Sequence, residues 1–393
     1  MIKPNDIIEK FTVEELCQTA DDYFKSVQDS TPHLAKPFSS LRDGPVILQN
    51  LGFLLSGLHL AKTMTVLDFA AGTCWLSRYL HQLQCKTISC DVSSTALEFG
   101  KQLFEEYPII GDPIAEPSFL HFDGHKIDLP DESVDRIICL AGFHHVPNQE
   151  EVIAELARVL KRGGIAGFSE PGRFHSQSPQ SQFEMRNYAV LENDILVPEI
   201  FTIAQKHGFT DIRLRVLDDI EVSLNQYKFL TSQITRKLLN LIYHDVGNMM
   251  VNRTIFFLYK GDYIPDSRSH IGLACSLSTA RNVFSIAAGE SLDILVKVTN
   301  TGRAGWLTEN INGIGVVKIG THLYDEANHL LNLDFSRHDL PEFIEPGTTF
   351  EQSIKVRFDD SGTYKLAVDL VSESICWFEN GGSIPITVTV NVE

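Results

Sequence analysis

The feature that most constrains this chain is a regular alternation between Thr65 and Gly172, where short apolar runs bounded by acids or glycines are separated by amphipathic stretches. The runs are Val66-Leu67, Thr87-Ile88-Ser89-Cys90, Phe119-Leu120, Arg136-Ile137-Ile138-Cys139-Leu140 and Ile165-Ala166-Gly167-Phe168. Strand and helix signals in alternation imply an α/β fold: a mostly parallel sheet with helices on both faces. Upstream, residues 5 to about 62 read as helical, with Val46, Leu51, Leu54, Leu55 and Leu58 on one stripe that would pack against the sheet. One helix is strongly punctuated. Asn148 would cap it with Glu151 completing a capping box, Val152, Leu156, Val159 and Leu160 would be buried, and Gly163-Gly164 would stop it. Asp211 to Leu217 and Thr254 to Tyr259 read as two more strands, with a helical insertion at about 222–248 between them.

A chain of 393 residues exceeds one ordinary core, and its texture changes near Asp262. Ile264-Pro265-Asp266-Ser267-Arg268-Ser269 reads as a linker. Beyond it come alternating segments at Leu292–Val298, Gly315–Ile319, Thr349–Phe358, Thr363–Leu370 and Ile384–Val392, with turns at Asn300-Thr301-Gly302, Pro346-Gly347 and Ser361-Gly362. The expected organisation is a helical segment over 1–45, an α/β domain over 46–262 and an all-β sandwich over 271–393.

A formal charge of −18 argues against nucleic acid or an anionic membrane as partner, since a negative surface repels both. Seven scattered cysteines without a Cys-x-x-Cys pair suit a reducing compartment and no zinc motif. The first residues lack a signal-peptide layout, and the apolar window Pro45–Ala61 is interrupted by Gln49, Asn50 and His59. A cytoplasmic protein without membrane insertion is the expectation; monomer and homo-oligomer stay open.

Thr65-Val66-Leu67-Asp68-Phe69-Ala70-Ala71-Gly72-Thr73-Cys74 is a strand ending in an acid, then a turn of small residues leading into a helix. A second acid, Asp91, ends the next strand at 91 − 72 = 19 residues past Gly72, close to the ~20-residue offset of a ribose-binding carboxylate. A dinucleotide fingerprint needs three spaced glycines. Here Ala70 and Cys74 flank a lone Gly72, and Asp68 would repel a pyrophosphate while attracting a cation. A nicotinamide-dependent enzyme is therefore the weaker reading.

Taken in order, Asp68 to Gly72, Asp91, Asp123-Gly124, the strand Val134 to Leu140 followed by Phe143-His144-His145-Val146-Pro147, and the helix ending at Gly163-Gly164 resemble the class I, Rossmann-like methyltransferases that use S-adenosylmethionine. The resemblance spans roughly residues 45–260. It implies that Asp68 and the Ala70–Gly72 turn hold the methionine portion, Asp91 the ribose diol with Val92 beside it, and Asp123 and Gly124 the adenine side, with Leu140 ending the neighbouring strand.

Methyl transfer from a sulfonium needs the acceptor held in line and a base when it is a hydroxyl. His144 or His145 is the candidate base, with nothing in the sequence to choose between them. The polar stretch after the fifth strand supplies Glu170, His175, Glu184, Arg186, Glu192 and Asp194, which could orient a polyhydroxyl acceptor. Glu170 and His175 are the chief candidates, and no metal is expected, because the spacing matches no metal motif.

The tail, with Val298-Thr299-Asn300-Thr301-Gly302, Trp306, Gly320-Thr321-His322, Gly362-Thr363-Tyr364 and Trp377-Phe378, resembles the β-sandwich appended to glycan methyltransferases and exporters of bacterial polysaccharide biosynthesis. Trp306 and Trp377 read as core fillers ahead of sugar-stacking residues. The leading expectation is O-methylation of a sugar hydroxyl on a glycan or glycan precursor. The alternatives are a small-molecule, non-sugar methyltransferase and a carbohydrate-binding or assembly protein on a methyltransferase-like scaffold.

Overall fold

The computed structural model describes residues 1–215 and 253–393, and the chain divides into two compact units, 1–60 with 64–263 and 61–63 with 264–393. The helical insertion expected at about 222–248 lies outside the described residues.

The first unit begins with helices α1 (Pro4–Ile8), α2 (Val13–Ser26), α3 (Thr31–Leu34) and α4 (Gly44–Leu58). Thr12 caps α2 in a full capping box with Glu15. Leu51, Leu54 and Leu58 of α4 are buried, whereas Val46 is 49 % exposed: five residues before Leu51, it points about 140° round the helix from it, off the buried stripe. Strands β1 (Thr65–Phe69), β2 (Lys86–Asp91), β3 (Ser118–His121), β4 (Val134–Leu140) and β5 (Leu160–Pro171) alternate with α5 (Trp75–Gln82), α6 (Ser94–Glu106) and α7 (Gln149–Val159). After β5 come α8 (Pro179–Tyr188), α9 (Val197–Lys206), β6 (Asp211–Leu214) and β7 (Arg253–Tyr259). Among the described residues the strands form one sheet in the order β3-β2-β1-β4-β5-β7-β6. The first five run parallel, and β7 is antiparallel to both β5 and β6. The order reverses between β1 and β4, so their C-terminal ends open the crevice where such sheets take ligands.

Two local expectations fail for physical reasons. Asn148 begins α7 but makes no side-chain cap; its amide donates to the Gly124 carbonyl at 2.9 Å and to Glu151, drawing the helix start onto the β3–β4 connection. Leu160 to Gly164 do not extend the helix but open β5, because Leu160 pairs with Val134 before a register shift.

The second unit is all-β. Strands β8 (Cys275–Thr279), β9 (Val283–Ile286), β10 (Ser291–Asn300), β11 (Val317–Asp325), β12 (Leu330–Asp339), β13 (Thr349–Arg357), β14 (Gly362–Ser372), β15 (Cys376–Trp377) and β16 (Ile386–Val392) form two sheets, β13-β10-β8 and β12-β11-β14-β16-β9, with β15 on β14. Alternate residues of both, such as Ile294, Val296, Ile354, Ile319, Val368 and Val390, fill one core around Trp306. The stretch read as a linker is fixed to this unit: Ser267 is fully buried and donates to the Gly315 carbonyl at 2.6 Å, while Arg268 pairs with Asp266. Trp306 is a core residue, but Trp377 is half-buried on the opposite face of its sheet, under the guanidinium of Arg337.

Candidate active site

Asp68 is the last residue but one of β1 and Asp91 ends β2, both nearly buried, at 2 % and 8 % exposure. Asp68 accepts from the Ser77 hydroxyl at 2.6 Å; burial pushes its carboxyl up to about 7, against that bond and with help from Asp91. Asp91 accepts from the backbone N–H groups of Gly72 at 2.7 Å and Ser93 at 2.8 Å, and burial raises it as well. The turn between these acids is built from left-handed residues, Ala70 (φ 56°), Gly72 (φ 53°) and Cys74 (φ 58°), which curl the backbone tightly ahead of α5. Gly142 at the end of β4 faces this turn, and a Cβ there would lie 2.4 Å from the Ala70 methyl.

Asp123 follows β3 and accepts from the His125 and Lys126 N–H groups at 2.8 and 2.7 Å; those bonds, Lys126 foremost, hold it below the usual carboxylate range. Gly124 is buried at φ 94°. Val92 is half-buried against the core and Leu140 half-buried at the end of β4. Among the described residues no lysine or arginine pairs with Asp68, Asp91 or Asp123. Three carboxylates beside a tight turn, with no lysine or arginine against them among the described residues, suit a cationic, phosphate-free nucleotide and oppose a pyrophosphate.

A signal absent from the motif reading is α2, which lies across this crevice. Val13 and Cys17 pack at Gly124, where a Cβ would meet them at 2.7 and 2.9 Å. Asp21 accepts from the Ser93 hydroxyl at 2.8 Å and the Thr95 N–H at 2.9 Å, and the Phe24 ring lies 3.9 Å from the Cβ position of Gly72. His125 ties the other end down, bonding Glu14 of α2 at 3.1 Å and Glu151 of α7 at 3.0 Å.

The C-terminal ends of β4 and β5 open into a cavity of about 400 Å³. The sequence candidates His144, His145, Glu170, His175, Glu184 and Glu192 all line it, joined by Ser169 and Ser181 of the same polar stretch and by Asn50, Gln180 and Arg253, which carried no functional signal of their own. Arg186 is not in the lining, and Asp194 accepts instead from the Ser176 N–H at 2.8 Å. Glu170 is fully enclosed: its carboxylate accepts from His144 Nδ1 at 2.7 Å and from the N–H groups of Gly142 and Phe143 at 3.1 and 2.9 Å. Burial pushes Glu170 up, but the His144 bond and those N–H groups outweigh it and hold it low. An ionised partner on Nδ1 places the imidazole proton there and leaves His144 Nε2 as the lone-pair nitrogen.

His145 instead bonds the Leu191 carbonyl through Nδ1 at 2.7 Å, with 41 % of its side chain exposed at the cavity mouth. Desolvation of the enclosed side of its ring and the neighbouring His144 push its pKa down. His175 bonds Glu192 at 2.6 Å, and Glu192 also accepts from Ser181 at 3.2 Å. His144, His145 and Glu192 each bring one donor atom within 4.8 Å of the others, a grouping that no sequence spacing announces.

Residues 67–168 match the family model described as a methyltransferase domain. Ubiquinone/menaquinone biosynthesis C-methyltransferases UbiE are similar: 30 % identity over 112 residues for the one from Pseudomonas aeruginosa strain LESB58, and 31 % over 122 residues for the one from Francisella tularensis subsp. tularensis. These matches cover 27 % and 30 % of this chain, and the chain spans less than half of those relatives, 42 % and 46 %. A solved geranyl diphosphate C-methyltransferase from Streptomyces coelicolor A3(2) overlaps 62 % of this chain and 98 % of its own, with 12 % identity and a TM-score of 0.43. The stretch from Leu67 to Phe168 is a methyltransferase domain.

Proposed function

We propose that the chain, built around this domain, transfers a methyl group from S-adenosylmethionine to a hydroxyl of a polyhydroxylated acceptor, a sugar on a glycan or glycan precursor. The observation that carries the reading is the His144–Glu170 pair, which opens onto a polar cavity next to the acidic crevice. Gly142 joins the two places: it touches Ala70 of the donor turn and lies between cavity-lining Ala141 and His144.

S-adenosylmethionine would supply an electrophilic methyl group on a sulfonium. The residues fit it: Asp68 would meet the positive charge, the Ala70–Gly72 turn would admit the methionine portion, Asp91 would take the ribose diol, and Asp123 with Gly124 would hold the adenine side. His144 Nε2 accepts the proton of the acceptor hydroxyl, while Glu170 holds the ring and balances the imidazolium. His175, held by Glu192, with Glu184 and Ser181, orients the remaining hydroxyls.

Of the thirteen residues lining the cavity only Ala141 and Pro171 are apolar. The lining carries hydroxyl, imidazole and carboxylate groups that a sugar's hydroxyls can meet and a prenyl chain cannot. The all-β unit, by its resemblance to polysaccharide-pathway modules, would hold the glycan chain.

The test is a product screen with isotopically labelled donor against cell-extract glycans, lipid-linked sugar precursors and demethylquinones. Label in a sugar methyl ether, with S-adenosylhomocysteine formed in equal amount, supports the reading. Label only in a quinone keeps the enzyme class and overturns the acceptor; no binding of the donor in calorimetry overturns both.

A further inference from the structure

The all-β unit contains a group of buried polar atoms that the proposed transfer does not use. His322 on β11 and Asp369 on β14 are both fully buried. The register pairs Gly320 with Asp369 and His322 with Ala367, which sets the two side chains diagonally on one face, opposite the core residues Ile319, Val368 and Leu370. The segment Cys376–Gly381 covers that face: the Trp377 ring lies 4.0 Å from the His322 imidazole, and Gly320 leaves the indole its room, since a Cβ there would lie 2.6 Å from it. His322 Nδ1 bonds the Leu333 carbonyl, which can only accept, so Nδ1 carries the proton and Nε2 a lone pair.

That Nε2 has no hydrogen-bond partner among the described residues, and neither does Asp369 Oδ1. The two atoms do not reach each other within hydrogen-bond distance, and buried polar atoms of native proteins are seldom left so. The other Asp369 oxygen is fixed by the Glu379 N–H at 2.9 Å, and the Glu379 carboxylate reaches to 3.9 Å from His322 Nε2. One donor atom from each of the three residues falls within 4.8 Å of the others.

We propose that His322, Asp369 and Glu379 bind a divalent transition-metal ion, with Zn²⁺ the best match to one imidazole and two carboxylates. A bridging water would satisfy the two orphaned acceptors but would not account for a second carboxylate turned toward them; a dication balances both. The Nδ1–carbonyl bond is the outer support that orients a ligating histidine. Metal–ligand bonds of ~2.0–2.2 Å require the donors to draw together from their present spacing. Glu379, whose side chain is 39 % exposed, can make that movement, and the ion would then fasten the Cys376–Gly381 segment to the sheet.

The experiment uses the full chain, stripped with a chelator and titrated with Zn²⁺ in a calorimeter, with Co²⁺ absorption as a second readout. Because the cluster at His144, His145 and Glu192 could also take an ion, Glu192→Gln is run beside the wild type. One equivalent bound by both proteins is expected, with affinity at least ~10-fold weaker in His322→Gln, Asp369→Asn and Glu379→Gln. No zinc binding to the wild type, or unchanged binding in Glu379→Gln, overturns the proposal. Glu379 reaches solvent, so its variant decides the matter even if the two buried substitutions disturb folding.

Discussion

His144 Nδ1 lies 2.7 Å from Glu170 Oε2, and the other oxygen of that carboxylate holds the backbone N–H groups of Gly142 and Phe143. One acid thus fixes both the ring and the loop that carries it. Replacing His144 by Ala is expected to lower kcat by about 10²–10⁴ with donor affinity retained, the usual loss of a positioned base. Glu170→Gln turns an amide donor against Nδ1–H and should lose a similar factor, since the wrong tautomer puts a proton on the nitrogen that must be free. His145→Ala should stay near wild type. Equal kcat in His144→Ala and His145→Ala, measured at saturating donor, would remove the base from His144.

Asp68 carries a carboxyl raised to about 7 by burial, so donor binding should depend on pH. Above that value the ionised acid meets the sulfonium and ammonium. Below it the apparent affinity should weaken by up to about tenfold per pH unit, a linkage that calorimetry across pH 5.5–8 would read. Asp68→Asn should bind weakly and without that slope. The effect on folding has the opposite sense. The unfolded acid titrates near ~3.9, so the folded state holds an extra proton between there and about 7, and its contribution to stability falls as pH rises through that window.

Most of the sheet is legible from local pattern, because strands buried on both faces must be apolar throughout, as Ile137-Ile138-Cys139 and Ile165-Ala166 are. The acids at its edge are legible too, because chain order places them at strand ends. What the pattern misses depends on contacts distant in sequence. Strand β12 escapes notice because Leu330, Leu331 and Leu333 lie about half exposed on a sheet edge and show no alternation. The cover of α2 over the crevice rests on Asp21 reaching Ser93 and Thr95, a relationship no window contains. His175 and Glu192 are 17 residues apart and meet only because α8 doubles back, so their spacing reads as a polar loop.

Gly142 and Ala70 share one space, 2.4 Å apart once a Cβ is added to the glycine. Gly142 has φ −137°, which any residue adopts, so the demand for glycine is steric. Gly142→Ala should therefore overpack the junction between donor turn and cavity, costing about 1–3 kcal/mol of stability and weakening donor binding. Ala70 lies at φ 56°, where glycine is free of strain, so Ala70→Gly should be tolerated and should rescue Gly142→Ala in the double variant. A double variant no better than Gly142→Ala, by thermal unfolding and donor titration, would show that the two positions do not compete for the same space.

His125 bonds Glu151 of α7 on one side and Glu14 of α2 on the other, and these two carboxylates, Glu151 foremost, raise its pKa. A histidine raised in this way holds α2 over the crevice fully below its unfolded value of ~6.5, and the hold is lost as pH rises through the elevated folded value. In the bound complex the sulfonium keeps Asp68 ionised, so the pH dependence attributed to Asp68 falls on association and release reports the latch: bound donor should leave faster at high pH than at pH 6. The pair is largely solvent-exposed, which limits the change to about twofold to fivefold. Glu14→Gln removes the α2 side of the latch while leaving the Glu151 bond, so its donor dissociation rate should already be fast at pH 6 and vary less with pH. Stopped-flow release of a fluorescent donor analogue reads this directly. The same pH profile in Glu14→Gln as in the wild type would mean that α2 is held by the packing of Val13 and Cys17 against Gly124 and by Asp21, with no part for His125.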